Sequence, residues 1–133
     1  MHKEIADFLQ ARLHEDADLA RRCDGGDDCG TWIADGSTVD FCHSELAGFH
    51  PTVAAHIARH DPARVLREVA AKRRVLRRHT LSPASGDPDL PWDNRYDCQY
   101  DGDDWPCTDV LDLLLPYADH PDFRTGWIPA GYR

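Results

Sequence analysis

Between residues 3 and 22 the apolar side chains Ile5, Phe8, Leu9, Leu13 and Ala20 recur at helical spacing, with charged residues filling the opposite face. The pattern predicts an amphipathic helix. Cys23-Asp24-Gly25-Gly26-Asp27-Asp28-Cys29-Gly30 then predicts a loop of turn formers and acids. Periodicity changes over residues 31–42, where Asp35-Gly36 separates two short runs of strand-type residues and predicts a β-hairpin. With Asp35 and Gly36 as the loop pair, Ala34 faces Ser37 and Trp32 faces Val39. Continuing outward, Cys29 faces Cys42 as a non-hydrogen-bonded pair with Cα atoms about 4.5 Å apart.

Two further helices are expected at about 52–60 and 62–79. Asp61 is a favourable cap, and Pro62 is tolerated at the first helical position. Val65, Leu66, Val69 and Leu76 form the apolar face of the second, and Arg73 projects into the same arc. Residues 80–106 are rich in Pro, Asp and Gly and show no periodicity. Trp92, Tyr96, Tyr100 and Trp105 nevertheless predict that this loop is packed or tethered. A last helix is expected at about 108–118, opening at Thr108 with Asp109 in its first turn and disturbed by Pro116. The fold class is α+β: one domain over residues 1–133, small and helical, with one β-hairpin and a long tethered loop before the C-terminal helix.

Composition refines this picture. A chain of 133 residues that is 41% apolar can build one modest core, and its mean hydropathy of −0.60 leaves that core thin. The net charge of −9 disfavours nucleic acid and anionic membranes unless cations are locally concentrated. No apolar run approaches a bilayer span, and the start MHKEIADF lacks a signal-peptide core, so a cytoplasmic protein without membrane association is expected. In a reducing compartment the five cysteines favour thiols or metal ligands over a disulfide scaffold.

The thiols and imidazoles define the candidate chemistry. His79 ends the basic helix, and Cys98 and Cys107 lie in the loop that follows. A structural Zn2+ on His79, Cys98 and Cys107 would tie a helix end, a loop and a helix start together. His120 is a candidate fourth ligand, with Asp101 as the alternative. Two unlinked thiols or a Cys98–Cys107 disulfide are the other readings. A second group, Cys23, Cys29, Cys42 and His43, suits a Cys29–Cys42 disulfide or reduced pair better than a metal, because adjacent strand residues point to opposite faces. His56 and His60 have the spacing of zinc ligands on a helix, but Ile57 stands where a metalloprotease carries its general base.

The segment from Arg64 to Arg78 carries seven basic residues against one Glu, a net +6, with Arg64, Arg67, Arg74 and Arg78 on one face. Such a face could follow phosphates. Residues 80–122 hold eleven acids and one Arg, a net −10, so neutralisation within the chain is the economical expectation. No Gly-rich phosphate loop is present, and Ser37, Ser44, Ser82 and Ser85 lack the context of a nucleophile.

Two longer motifs carry a resemblance. His56-Ile57-Ala58-Arg59-His60-Asp61-Pro62-Ala63-Arg64-Val65-Leu66-Arg67-Glu68-Val69 and Leu115-Pro116-Tyr117-Ala118-Asp119-His120-Pro121-Asp122-Phe123 together resemble a family of small actinobacterial and actinophage proteins that form a domain of unknown function. The resemblance implies a class of organism rather than a mechanism. It also implies a Cys-x-x-Cys pair in the loop and a Pro-Cys before the last helix. Pro106-Cys107-Thr108 matches the latter and Cys98 one cysteine of the former, while Arg95 and Asp101 occupy the positions three before and three after it.

The sequence reading is therefore a non-enzymatic protein-interaction module, stabilised by a structural zinc and binding another protein. Its rivals are a metal-dependent hydrolase with an open zinc position and nucleic-acid binding through the basic helix.

Overall fold

The computed structural model describes residues 3–24, 28–81 and 97–132. Trp92, Tyr96, Ser82 and Ser85 lie outside them. The described residues form an α+β fold of four α-helices and one three-stranded antiparallel sheet, in the order α1 (Lys3–Asp24), β1 (Ile33–Asp35), β2 (Thr38–Asp40), β3 (Glu45–Leu46), α2 (Pro51–Arg59), α3 (Pro62–Arg78) and α4 (Thr108–Leu114). Two 3-10 turns follow, Leu115–Tyr117 and Thr125–Trp127. No helix among the described residues is long and apolar enough to cross a membrane. The chain divides into two compact units, Leu13–Ala71 and Met1–Arg12 with Lys72–Arg133.

In the unit Leu13–Ala71, Leu13, Ala17 and Ala20 form the buried stripe of α1. That helix continues through Cys23 and Asp24, two residues further than the turn formers suggest. The hairpin forms, with its register moved by two residues. Asp35 pairs with Thr38 and Ala34 with Val39, so the loop residues are Gly36 and Ser37 rather than Asp35 and Gly36. Gly36 adopts φ +57° at the first loop position and Ser37 keeps a negative φ, the type II′ pattern that places glycine first. A shift of two preserves the face of every side chain, and Val39 is accordingly fully buried.

A third strand, too short to leave a sequence pattern, pairs Leu46 with Val39 and Glu45 with Asp40. The chain reaches it through Cys42, held at φ +76° with its N–H donating to the Asp40 carboxylate at 2.8 Å. α2 packs on β1 and β2, and its first turn is capped by His50, whose Nδ1 accepts from the Thr52 N–H at 3.2 Å.

Asp61 has two roles here. Its Oδ1 accepts from the Arg64 N–H at 2.9 Å, capping α3, while its Oδ2 accepts from the Trp32 N–H at 3.1 Å. One buried carboxylate thus joins the start of a helix to the approach of a strand. Gly30 lies beside it, its carbonyl accepting from the Ala63 N–H at 2.9 Å. A Cβ on Gly30 would sit 3.3 Å from that nitrogen, which accounts for the smallest residue at this close approach.

The other unit buries Ile5, Phe8 and Leu9 of α1, Leu76 of α3 and Val110 and Leu114 of α4. Phe8 meets His120, Phe123 and Trp127 with ring centroids 5.3, 6.2 and 5.1 Å away, and Arg124 pairs with Glu4 at 2.9 Å. These contacts fix the C-terminal segment. α4 stops at Leu114, four residues short of the expected end, and the chain around Pro116 tightens into the first 3-10 turn.

Candidate metal centre

α3 ends at Arg78, and the next residue still donates its N–H to the Val75 carbonyl at 3.0 Å. This backbone hydrogen bond places His79 against the helix end, with its residue only 2% exposed. The returning chain is built around Cys98. The Gln99 N–H donates to the Thr80 carbonyl at 2.8 Å, and Leu81 and Cys98 form an antiparallel bridge. A tight turn follows, in which the Cys98 N–H donates to the Asp103 carbonyl at 2.7 Å and the Gly102 N–H to the Cys98 carbonyl at 2.8 Å. Gly102 adopts φ +75°, the left-handed geometry that favours glycine.

This turn brings Asp101 back beside Cys98. Cys107 arrives from the other side as the residue capping α4, and its side chain makes no cap hydrogen bond. The Cys107 thiol is directed at His79 instead.

His79, Cys98, Asp101 and Cys107 each offer one donor atom, and these atoms lie within 4.8 Å of one another. His79 Nδ1 is 3.4 Å from each sulfur and 3.3 Å from Asp101 Oδ2. Donors bound tetrahedrally to zinc at bonds of about 2.0–2.3 Å stand about 3.3–3.8 Å apart, so the separations from Nδ1 already have the required scale. Two sulfurs, a nitrogen and a carboxylate oxygen are donors zinc accepts. Among the described residues this is the only such group of three or more His, Cys, Asp or Glu side chains.

Electrostatics reinforce the grouping. Asp101 is held below the ordinary carboxylate range chiefly by the hydrogen bond its Oδ1 accepts from the Asp103 N–H at 2.9 Å; burial opposes this as the next largest effect, and the Cys107 and Cys98 thiols and His79 each add a smaller lowering. Burial is the main cause that pushes the Cys107 thiol up to about 12. A buried thiol of this kind is kept protonated until a cation replaces its proton. His79 Nε2 faces Asp109 Oδ2 at 3.4 Å, and the Tyr100 ring meets the imidazole at a 57° tilt with centroids 4.7 Å apart.

The remaining candidates lie elsewhere. His120 does not join the donor group: its ring packs edge-on to Phe8, and its Nδ1 meets Arg12 at 3.3 Å and the Asp122 N–H at 3.0 Å. The position that looked like a fourth ligand serves the C-terminal packing, and Asp101 stands in the group. The signal for Asp101 was its spacing, three residues after Cys98, which a tight turn converts into convergence.

Cys29 and Cys42 are joined as a disulfide with Cα atoms 5.4 Å apart, so neither sulfur remains for a metal. Cys23 is an exposed free thiol. His56 and His60 stack with centroids 4.3 Å apart, and His60 Nδ1 donates to the His56 carbonyl at 2.9 Å.

On α3, Arg64 pairs with Glu68 at 2.9 Å, while Arg67, Arg74 and Arg78 are exposed. Arg78 also lies over the Tyr100 ring at 6.0 Å. Among the described residues Arg73, Arg74, Arg77 and Arg78 form no ion pair with an acid of residues 97–122.

Comparison with known proteins adds one match. A family described as of unknown function (DUF6221) matches residues 2–129. No curated protein and no solved structure matches the chain.

Proposed function

The chain belongs to this family of unknown function, and we propose that it is a non-enzymatic protein-interaction module whose loop and last helix are tied to the end of α3 by a structural zinc. Convergence of His79, Cys98, Asp101 and Cys107 is the observation that carries the reading. Four protein donors fill a tetrahedral ion, which is the structural pattern, whereas a catalytic zinc keeps one position for water or substrate. Three of the four donors are buried.

Several finer attributes belong to the same proposal. Residues 1–133 act as one domain, in an actinobacterial or actinophage setting. The protein is cytoplasmic, since Cys98 and Cys107 serve as donors only while reduced. A cytosolic thiol pool would then act on the Cys29–Cys42 bond, whose Cys42 end is exposed.

Elemental analysis of protein purified under reducing conditions tests the metal, with one equivalent of zinc as the expected result. The hydrolase alternative needs an open coordination position. A reproducible turnover abolished by substituting any of the four donors would overturn the non-enzymatic reading.

A further inference from the structure

We infer that Asp109 is a positioning residue for this centre, holding the His79 proton on Nε2 so that the Nδ1 lone pair faces Cys98, Asp101 and Cys107. The inference rests on the metal reading above and specifies how its histidine is prepared to bind. A neutral imidazole carries one N–H and one lone pair, and only the unprotonated nitrogen can ligate. Both nitrogens of His79 have carboxylate neighbours. Asp101 Oδ2 is 3.3 Å from Nδ1, and Asp109 Oδ2 is 3.4 Å from Nε2.

An ionised carboxylate can only accept, so each draws the single proton toward its own side. If Asp101 prevailed, Nδ1 would be protonated and unable to bind a cation. Asp109, in the first turn of α4, supplies the opposing acceptor. The ring has little freedom to exchange its two edges, being 2% exposed and in tilted contact with Tyr100. The geometry corresponds to the carboxylate–histidine–metal arrangement that orients ligating imidazoles.

A carboxylate that only stabilised the start of α4 would leave the tautomer and the intrinsic zinc affinity unaltered. The test combines long-range 1H–15N spectra of His79 in the zinc-loaded protein with zinc affinities measured by chelator competition for wild type, Asp109→Ala and Asp109→Asn. The wild-type spectrum should show a metal-bound Nδ1 and a protonated Nε2. Asp109→Ala should weaken zinc about 10- to 100-fold, beyond what any change in metal-free stability explains, and Asp109→Asn, which keeps a carbonyl acceptor, should lose less.

A zinc-bound Nε2 in wild type, or an Asp109→Ala affinity equal to wild type, would overturn the inference while leaving the metal centre standing. A wild-type protein that binds no zinc would overturn the metal centre itself. The wild-type spectrum decides the tautomer even if a variant fails to fold.

Discussion

Asp101 divides its carboxylate between two tasks: Oδ1 accepts from the Asp103 backbone, and Oδ2 faces His79. The backbone hydrogen bond fixes the side chain before any ion arrives, which lowers the entropy lost on binding. Asp101→Ala should therefore weaken zinc sharply, whereas His120→Ala should leave one equivalent bound and lower stability through its lost packing on Phe8. Zinc content and melting temperature of the two variants separate these effects. Asp61 offers a second residue-scale test, because Asp61→Ala removes a helix cap and leaves the Trp32 N–H without its acceptor. Denaturant unfolding should show a loss of about 1–3 kcal/mol. Its capping role was legible from the Asp-Pro pair, but its bond to Trp32 was not, since residues 29 apart in the chain meet only once the fold exists. Similarly, the sequence named His79, Cys98 and Cys107 as donors. The choice between Asp101 and His120 depended on how the turn from Cys98 to Asp103 closes.

Among the elements, long amphipathic helices were readable because their period repeats many times. α1, α2 and α3 lie within two residues of their expected limits. The hairpin was readable in existence and face but not in register: Asp35-Gly36 and Gly36-Ser37 both supply a glycine to a two-residue turn, and they differ by a shift that leaves each face unchanged. β3, with two residues, contains no period at all. The disulfide joins the two cysteines that the expected register sets opposite each other, although in the register that forms Cys29 and Cys42 are not ladder partners. Cys42, two residues past the end of β2, meets Cys29 from a positive φ. Cross-linking residues 13 apart should stabilise the hairpin region by about 2–3 kcal/mol. Cys42→Ser should show that loss by denaturant unfolding under oxidising conditions and little change when both proteins are reduced. An equal loss in both conditions would assign the effect to packing rather than to the bond.

For the whole molecule, metal occupancy should reverse the pH dependence of stability. In metal-free protein the Cys107 thiol rises from an ordinary 9.0 to about 12 when folded. A raised value favours the protonated folded form, so this contribution is fully present below about pH 9 and is lost as pH climbs toward 12. Thermal melts of metal-free protein should decline across that alkaline window, and Cys107→Ser should flatten the decline. With zinc bound the thiol proton has already been displaced, so acidification becomes the destabilising direction as protons return and the ion leaves. The α+β architecture was legible from the order of helical and alternating segments, whereas the grouping of the donors required chain reversals that no local pattern records. Native mass spectrometry of reduced wild type, Cys98→Ser and Cys107→Ser after zinc loading tests the centre most directly. The account predicts one zinc per wild-type chain and its loss from both variants. Wild type carrying no zinc with Cys98 and Cys107 free, or both variants retaining the ion as wild type does, would contradict it.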